Sequence, residues 1–130
     1  MSQENVEIVR RAWEAYMRRD NEAALALYHP EAELRHPLDG SVYQGLAGVR
    51  AFFRDWHAAW SELLANDVEE WIDAGDEVIA VMRIRARGLG SGAVVERREW
   101  DVWTLRDGKL WRLRIYTTKA EALEAAGLSE

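Results

Sequence analysis

The sequence predicts an α+β fold in which a mostly antiparallel sheet is covered by helices from the N-terminal half. Three observations carry this expectation. Helical periodicities cluster before residue 63, strand-like runs fill most of the remaining chain, and an Asp107-Gly108 pair joins two of those runs. Asp-Gly between alternating apolar stretches is a strong hairpin signal, and helices grouped before a run of strands argue for α+β.

Taken in order, residues 3–18 place Val6, Val9, Trp13 and Tyr16 at three- and four-residue steps, one face of a helix. Asp20 caps a second, short helix over 21–28. The His29-Pro30 pair ends it, because a residue before proline avoids the helical region. Residues 31–36 read as a strand stopped by Pro37, with Leu34 and His36 on one side. Asp39-Gly40 is a turn. Gly45 precedes a third helix, 46–62, whose stripe runs through Leu46, Val49, Phe53, Trp56, Trp60 and on to Leu63.

The remainder is read as a four-strand meander. Residues 68–72 form a strand and 73–76 turn the chain. Along 77–87, Val78, Ala80, Met82 and Ile84 alternate with Ile79, Val81, Arg83 and Arg85. Residues 88–92 are a glycine-rich loop. Gly88, Gly90 and Gly92 join two strands, so they are not a dinucleotide fingerprint, which must open a helix. On the next strand Glu99, Asp101, Trp103 and Leu105 share one side. A last helix over 119–126 stops at Gly127.

The chain has 130 residues, read as a single domain over 1–130 with no repeat or linker. A net charge of −6 argues against a nucleic-acid partner, whose footprint is a basic patch, and against anionic membranes. There is no cysteine, no apolar leader and no run able to span a bilayer, so the expected compartment is the cytoplasm. The three histidines stand at 29, 36 and 57, without metal-ligand spacing. Neither metal nor organic cofactor is expected.

Seven tryptophans are spread through nearly every predicted element. They serve either as core fillers or as the walls of a ligand pocket, which is mostly apolar with a few placed polar groups. Asp101 interrupts an apolar run between Trp100 and Val102. Carboxylates are rarely buried unless paired or used. Asp101 is therefore a structural group, bonded to Arg97 or His36, or a working acid whose pKa is raised by desolvation. Glu99, two positions earlier, either perturbs Asp101 or sits solvated at a pocket rim. The face carrying Ile79, Val81, Trp100 and Val102 beside Arg83 and Arg85 is either a solvated grid of ion pairs or a dimer interface.

Five segments in this order and spacing resemble the SnoaL-like branch of the nuclear transport factor 2-like superfamily. They are VRRAWEAYMRRDNEAALALYHPEAEL, VYQGLAGVRAFFRDW, IDAGDEVIAVMRIRARG, DVWTLRDGKLWRLRIY and EALEAAG, and together they cover nearly the whole chain. The resemblance implies a curved sheet wrapped around helices with a conical pocket, a cystatin-like α+β roll, and commonly a homodimer through the outer sheet face. It also implies chemistry only residue by residue, because the fold hosts isomerases, cyclases, hydrolases, dehydratases and binding proteins.

Members similar to ketosteroid isomerase place a base before a proline on the first strand, where this chain has His36-Pro37. Their protonated aspartic acid falls at Asp101, and their oxyanion tyrosine at Ala12. Members similar to limonene epoxide hydrolase need arginine where Glu99 stands and an acid where Ile115 stands; SnoaL-type cyclases need that same acid.

The expected site is therefore His36 and Asp101 as catalytic groups. Trp13, Tyr16, Trp56, Trp103 and Glu99 would hold a small apolar ligand. The expected reaction is isomerisation, cyclisation or dehydration of a carbonyl compound by acid and base alone. The other reading is a non-catalytic module that captures a hydrophobic ligand or a partner chain.

Overall fold

The computed structural model describes residues 2–35, 40–58, 60–88 and 90–128; at 2, 57 and 60–65 it describes the backbone alone. Helices α1 (Ser2–Met17) and α2 (Asn21–Leu25) lead into strand β1 (Tyr28–Arg35) and the short β2 (Val42–Gln44). Helix α3 (Gly45–Ala58) follows, then β3 (Trp60–Ala74), β4 (Glu77–Gly88), β5 (Val94–Arg106), β6 (Lys109–Tyr116) and helix α4 (Lys119–Ala125). The six strands form one sheet in the order β2-β1-β6-β5-β4-β3. Every pairing is antiparallel except that of β1 with β6. The architecture is α+β, as expected.

Local chemistry sets the joints. Asp20 accepts a hydrogen bond from the Ala23 amide at 3.2 Å and so caps α2. The β5–β6 turn has φ of 54° at Asp107 and 72° at Gly108, the left-handed pair that a two-residue hairpin requires. Thr118 caps α4 through the Glu121 amide. The far end closes with Leu128 N–H on Leu123 C=O and Gly127 N–H on Glu124 C=O, with Gly127 at φ 76°. These two bonds satisfy carbonyls that the helix leaves unpaired.

Three elements differ from expectation. The third helix stops at Ala58, and the chain from Trp60 onward is strand. The apolar stripe that continues to Leu63 fits a helix locally, but a ladder to β4 runs from Trp60↔Gly88 to Ala74↔Glu77 and overrides it. Strand β1 begins at Tyr28, three residues early. Pro30 is tolerated there because the β1–β6 register shifts between Tyr28 and Glu33, and β2 pairs only with Glu33 to Arg35. The expected four-strand meander is present as β3 to β6; β1 joins it along β6, and β2, too short to show a period of two, adds an unforeseen sixth strand.

The sheet's inner face packs against α1 and α3. Val9, Leu34, Val49, Val78, Leu110 and Leu113 form the main core there. A second cluster of Trp56, Ala80, Met82, Ile84 and Ala86 continues it, with Trp13 and Trp71 packed alongside. The outer face is covered in part by α4: Ala122 and Leu123 bury Ile79 and Val102, with Trp100 and Tyr116 at the margin. Ile79, Val81, Trp100 and Val102 therefore leave no exposed patch on this face. The first, third and fourth are covered by, or packed at the edge of, the chain's own last helix, and Val81 is buried as well.

Candidate functional site

The site begins with the alternation of β5. Arg97, Glu99, Asp101 and Trp103 follow one another at steps of two and so face the same way, toward the helices. Across the ladder Asp101 sits opposite Ala80 on β4 and Ile115 on β6. The small Ala80 leaves space in front of the carboxyl. Helix α1 brings Trp13 and Tyr16 over that space, and α3 brings Phe53 and Trp56.

The result is a cavity between sheet and helices. It offers about 80 Å³ to the centre of a water molecule and about 690 Å³ of free space in all, mouth included. One water needs about 10–15 Å³ on the first measure, so the space admits several waters or a small organic molecule. Trp13, Tyr16, Trp56, Trp103, Glu99 and Asp101 all line it. Tyr16 packs on Phe53 with ring centroids 5.1 Å apart, and Tyr28 meets Trp103 edge to face at 5.8 Å. His36 lies outside the described residues, as does the side chain of His57. His29 stands at the head of β1, where its Nδ1 accepts from the Glu31 amide and its Nε2 faces Asp107 at 3.5 Å.

Of the two readings of Glu99, the one in which it perturbs Asp101 agrees with the structure and the rim reading does not. Glu99 is no rim residue: it is 3% exposed, and Arg97 Nη2 donates to its Oε1 at 2.6 Å. Arg97 is itself held over the Trp56 ring, 5.6 Å from its centroid. Arg97 therefore pairs with Glu99 and not with Asp101. Asp101 answers to Glu99 instead, through its charge and a hydrogen bond that favours the protonated acid. Its Oδ1 is buried without a hydrogen-bond partner among the described residues.

Burial pushes the Asp101 carboxyl well above the usual carboxylate range. The negative charge of Glu99 and that hydrogen bond push the same way, and Arg97 opposes them. Two carboxyls this close hold one proton between them more readily than none. Burial also raises Tyr16 and Tyr28, so both phenols stay protonated; Asp101 adds to the effect on Tyr28. The wall of the cavity thus carries neutral hydroxyl and carboxyl donors with one arginine–glutamate pair behind them.

Two wall residues carry no clear signal in the sequence. Tyr28 falls at the end of a predicted helix, and Asn66 stands in a segment without alternation, next to the predicted helix stripe. The spacing Arg97-x-Glu99-x-Asp101 is legible as one strand face, but it does not say which carboxylate Arg97 takes. Among the described residues no cluster of histidine, aspartate and glutamate is arranged to hold a metal ion, and no helix is long and apolar enough to cross a membrane.

Residues 9–113 match the model of the SnoaL-like domain. No curated protein matches the sequence. Solved structures do. A nuclear transport factor 2-like protein of unknown function from Burkholderia pseudomallei is 25% identical with a TM-score of 0.77, over 95% of this chain and 97% of that one. TerC, co-crystallised with polyporic acid, is 23% identical with a TM-score of 0.75, over 95% and 98%. A Catenulispora acidiphila protein with a ketosteroid isomerase-like fold, in complex with trimethylamine, is 15% identical with a TM-score of 0.73, over 95% and 94%.

Proposed function

Because the chain belongs to the SnoaL-like domain family, we propose that its cavity takes a small, mainly apolar carbonyl compound and that Asp101 serves there as a neutral hydrogen-bond donor. The observation that carries this reading is the state of Asp101. A carboxyl on a cavity wall is driven toward its protonated form by burial and by Glu99, which Arg97 holds in place. Such a group donates to a developing oxyanion without reorganising, and a donor of this kind is worth about 10²–10³ in rate.

The reaction class is proton abstraction next to a carbonyl. His36, on the segment after β1, takes the α proton as general base. The electron pair moves onto the carbonyl oxygen, where Asp101 stabilises the enolate. Return of the proton to another carbon is isomerisation; loss of a β-hydroxyl is dehydration; attack on a second carbonyl is cyclisation. The tryptophans and Tyr16 hold the apolar body; TerC, of the same fold, is co-crystallised with a small organic molecule, polyporic acid. No metal or organic cofactor enters the scheme, and the protein works in the cytoplasm. The outer sheet face, where Val94 is exposed on the same side of β5 as the Arg83–Glu96 pair, serves as a homodimer surface; sedimentation velocity tests this.

One observation favours capture without turnover. The Arg97–Glu99–Asp101 chain is already closed within the protein, so Asp101 is partly committed before a ligand arrives. The deciding experiment is a thermal-shift screen of ketones and lactones followed by turnover assays on the compounds that bind. Turnover that drops at least 100-fold in Asp101→Leu and in His36→Ala supports the enzyme. Binding without turnover in the wild type selects the capture reading, and turnover unchanged in both variants contradicts the assigned roles.

A further inference from the structure

The cavity has a second polar end that the proposed chemistry does not use. Asn66 lines it from β3 and is 9% exposed. Its Nδ2 donates to Met17 Sδ at 3.3 Å. A thioether accepts but cannot donate, so the contact fixes the amide with its NH₂ toward Met17. Oδ1 is then left buried with no hydrogen-bond partner among the described residues. Trp13 also lines the cavity, and its Nε1–H is likewise buried and unpartnered among them.

The two groups belong to the same region. Met17 is one helical turn after Trp13 on α1, and Trp13 packs against the cluster that contains Ile84. Ile84 is the residue opposite Asn66 in the β3–β4 ladder. One free donor and one free acceptor therefore stand near each other on the wall. Buried groups of this kind are costly when left unpaired. A hydroxyl satisfies both, accepting from the indole and donating to the amide oxygen.

We infer that Trp13 Nε1 and Asn66 Oδ1 form a hydroxyl subsite, so the ligand is an elongated molecule with a carbonyl at the Asp101 end and a hydroxyl at the other. This rests on the proposed reading of the cavity as a carbonyl site. The register sets the length. Asp101 pairs with Ala80 and Asn66 with Ile84, four residues apart on β4 and on the strands either side of it: about 13 Å along the strand and about 10 Å across, or about 16 Å between backbones from which both side chains reach inward. A six-membered ring with a conjugated ketone side chain, para to a hydroxyl, spans that gap once two hydrogen bonds are added.

The test is calorimetric titration of 4-hydroxybenzylideneacetone and of benzylideneacetone, which lacks only the hydroxyl. The wild type is expected to prefer the hydroxylated probe by about tenfold. Asn66→Leu and Trp13→Phe are each expected to abolish most of that preference, read as the ratio of the two affinities within each variant. Asn66→Leu should not lower the melting temperature, because it removes an unpaired acceptor. A wild type that binds both probes equally, or a preference that survives in both variants, overturns the subsite. A wild type that binds neither probe overturns the carbonyl-site reading beneath it.

Discussion

Asp101 and Glu99 stand two positions apart on one face of β5 at a cavity wall, while Arg97 holds Glu99 at 2.6 Å. The arrangement gives one carboxyl a fixed ionic partner and leaves the other the proton. That division governs most of the chemistry open to the molecule.

The first consequence is a pH dependence of stability. Asp101 binds its proton more tightly folded than unfolded, so its contribution to stability is fully present below the ordinary aspartate range and is lost as pH rises through the raised value. Within that window the slope approaches about 1.4 kcal/mol per pH unit for one proton. Urea unfolding of wild type and Asp101→Asn across a pH range of about 3–9 should show this fall in the wild type and its loss in the variant.

Removing Arg97 strands a buried charge. Arg97→Met should cost about 3–5 kcal/mol, the usual penalty for breaking a buried pair from one side. The double variant Arg97→Met/Glu99→Leu should recover most of it, because neither charge is then left alone. Thermal and urea unfolding of the two variants check this. Arg97→Met should also move the Asp101 titration further up, since Arg97 is the group that opposes the shift.

At Gly48 two effects compete. Alanine gains about 1 kcal/mol of helix propensity. Its Cβ would lie 2.8 Å from the Tyr43 carbonyl carbon, which belongs to the backbone of β2 and cannot swing aside. Overpacking of this kind costs about 1–3 kcal/mol. Gly48→Ala should therefore lower the melting temperature, despite sitting in a helix.

Leu123 of α4 seals Ile79 and Val102 on the outer face. Leu123→Asp places an unpaired charge on that seal and should lift the helix from the sheet. Concentration-dependent self-association by light scattering is the expected result, with the far-UV spectrum largely kept. A variant that stays as dispersed as the wild type would show that α4 is not what covers the patch.

The fold is legible in the sequence wherever periodicity and turn chemistry agree. The β5–β6 hairpin announces itself through Asp107-Gly108, and α1 through Val6, Val9, Trp13 and Tyr16. Legibility fails where pairing overrules a local signal. The stretch from Trp60 to Leu63 carries helical spacing, yet the β4 ladder makes it strand. Side chains lining the cavity are legible as a set, because an aromatic near a strand carboxylate marks an inner face. Their partners are not. Whether Arg97 chooses Glu99 or Asp101 depends on side-chain reach across one strand face, which spacing alone leaves open. The burial of Asn66 depends on α1 lying over β3, a tertiary fact with no local trace.

Asp101 is, on this account, the protonated member of the pair, and its carbonyl stretch reports the proton directly. Infrared difference spectra of wild type minus Asp101→Asn are predicted to show a carboxylic-acid band that persists at a pH where ordinary aspartates are ionised. A difference spectrum showing only ionised carboxylate at that pH would contradict the account.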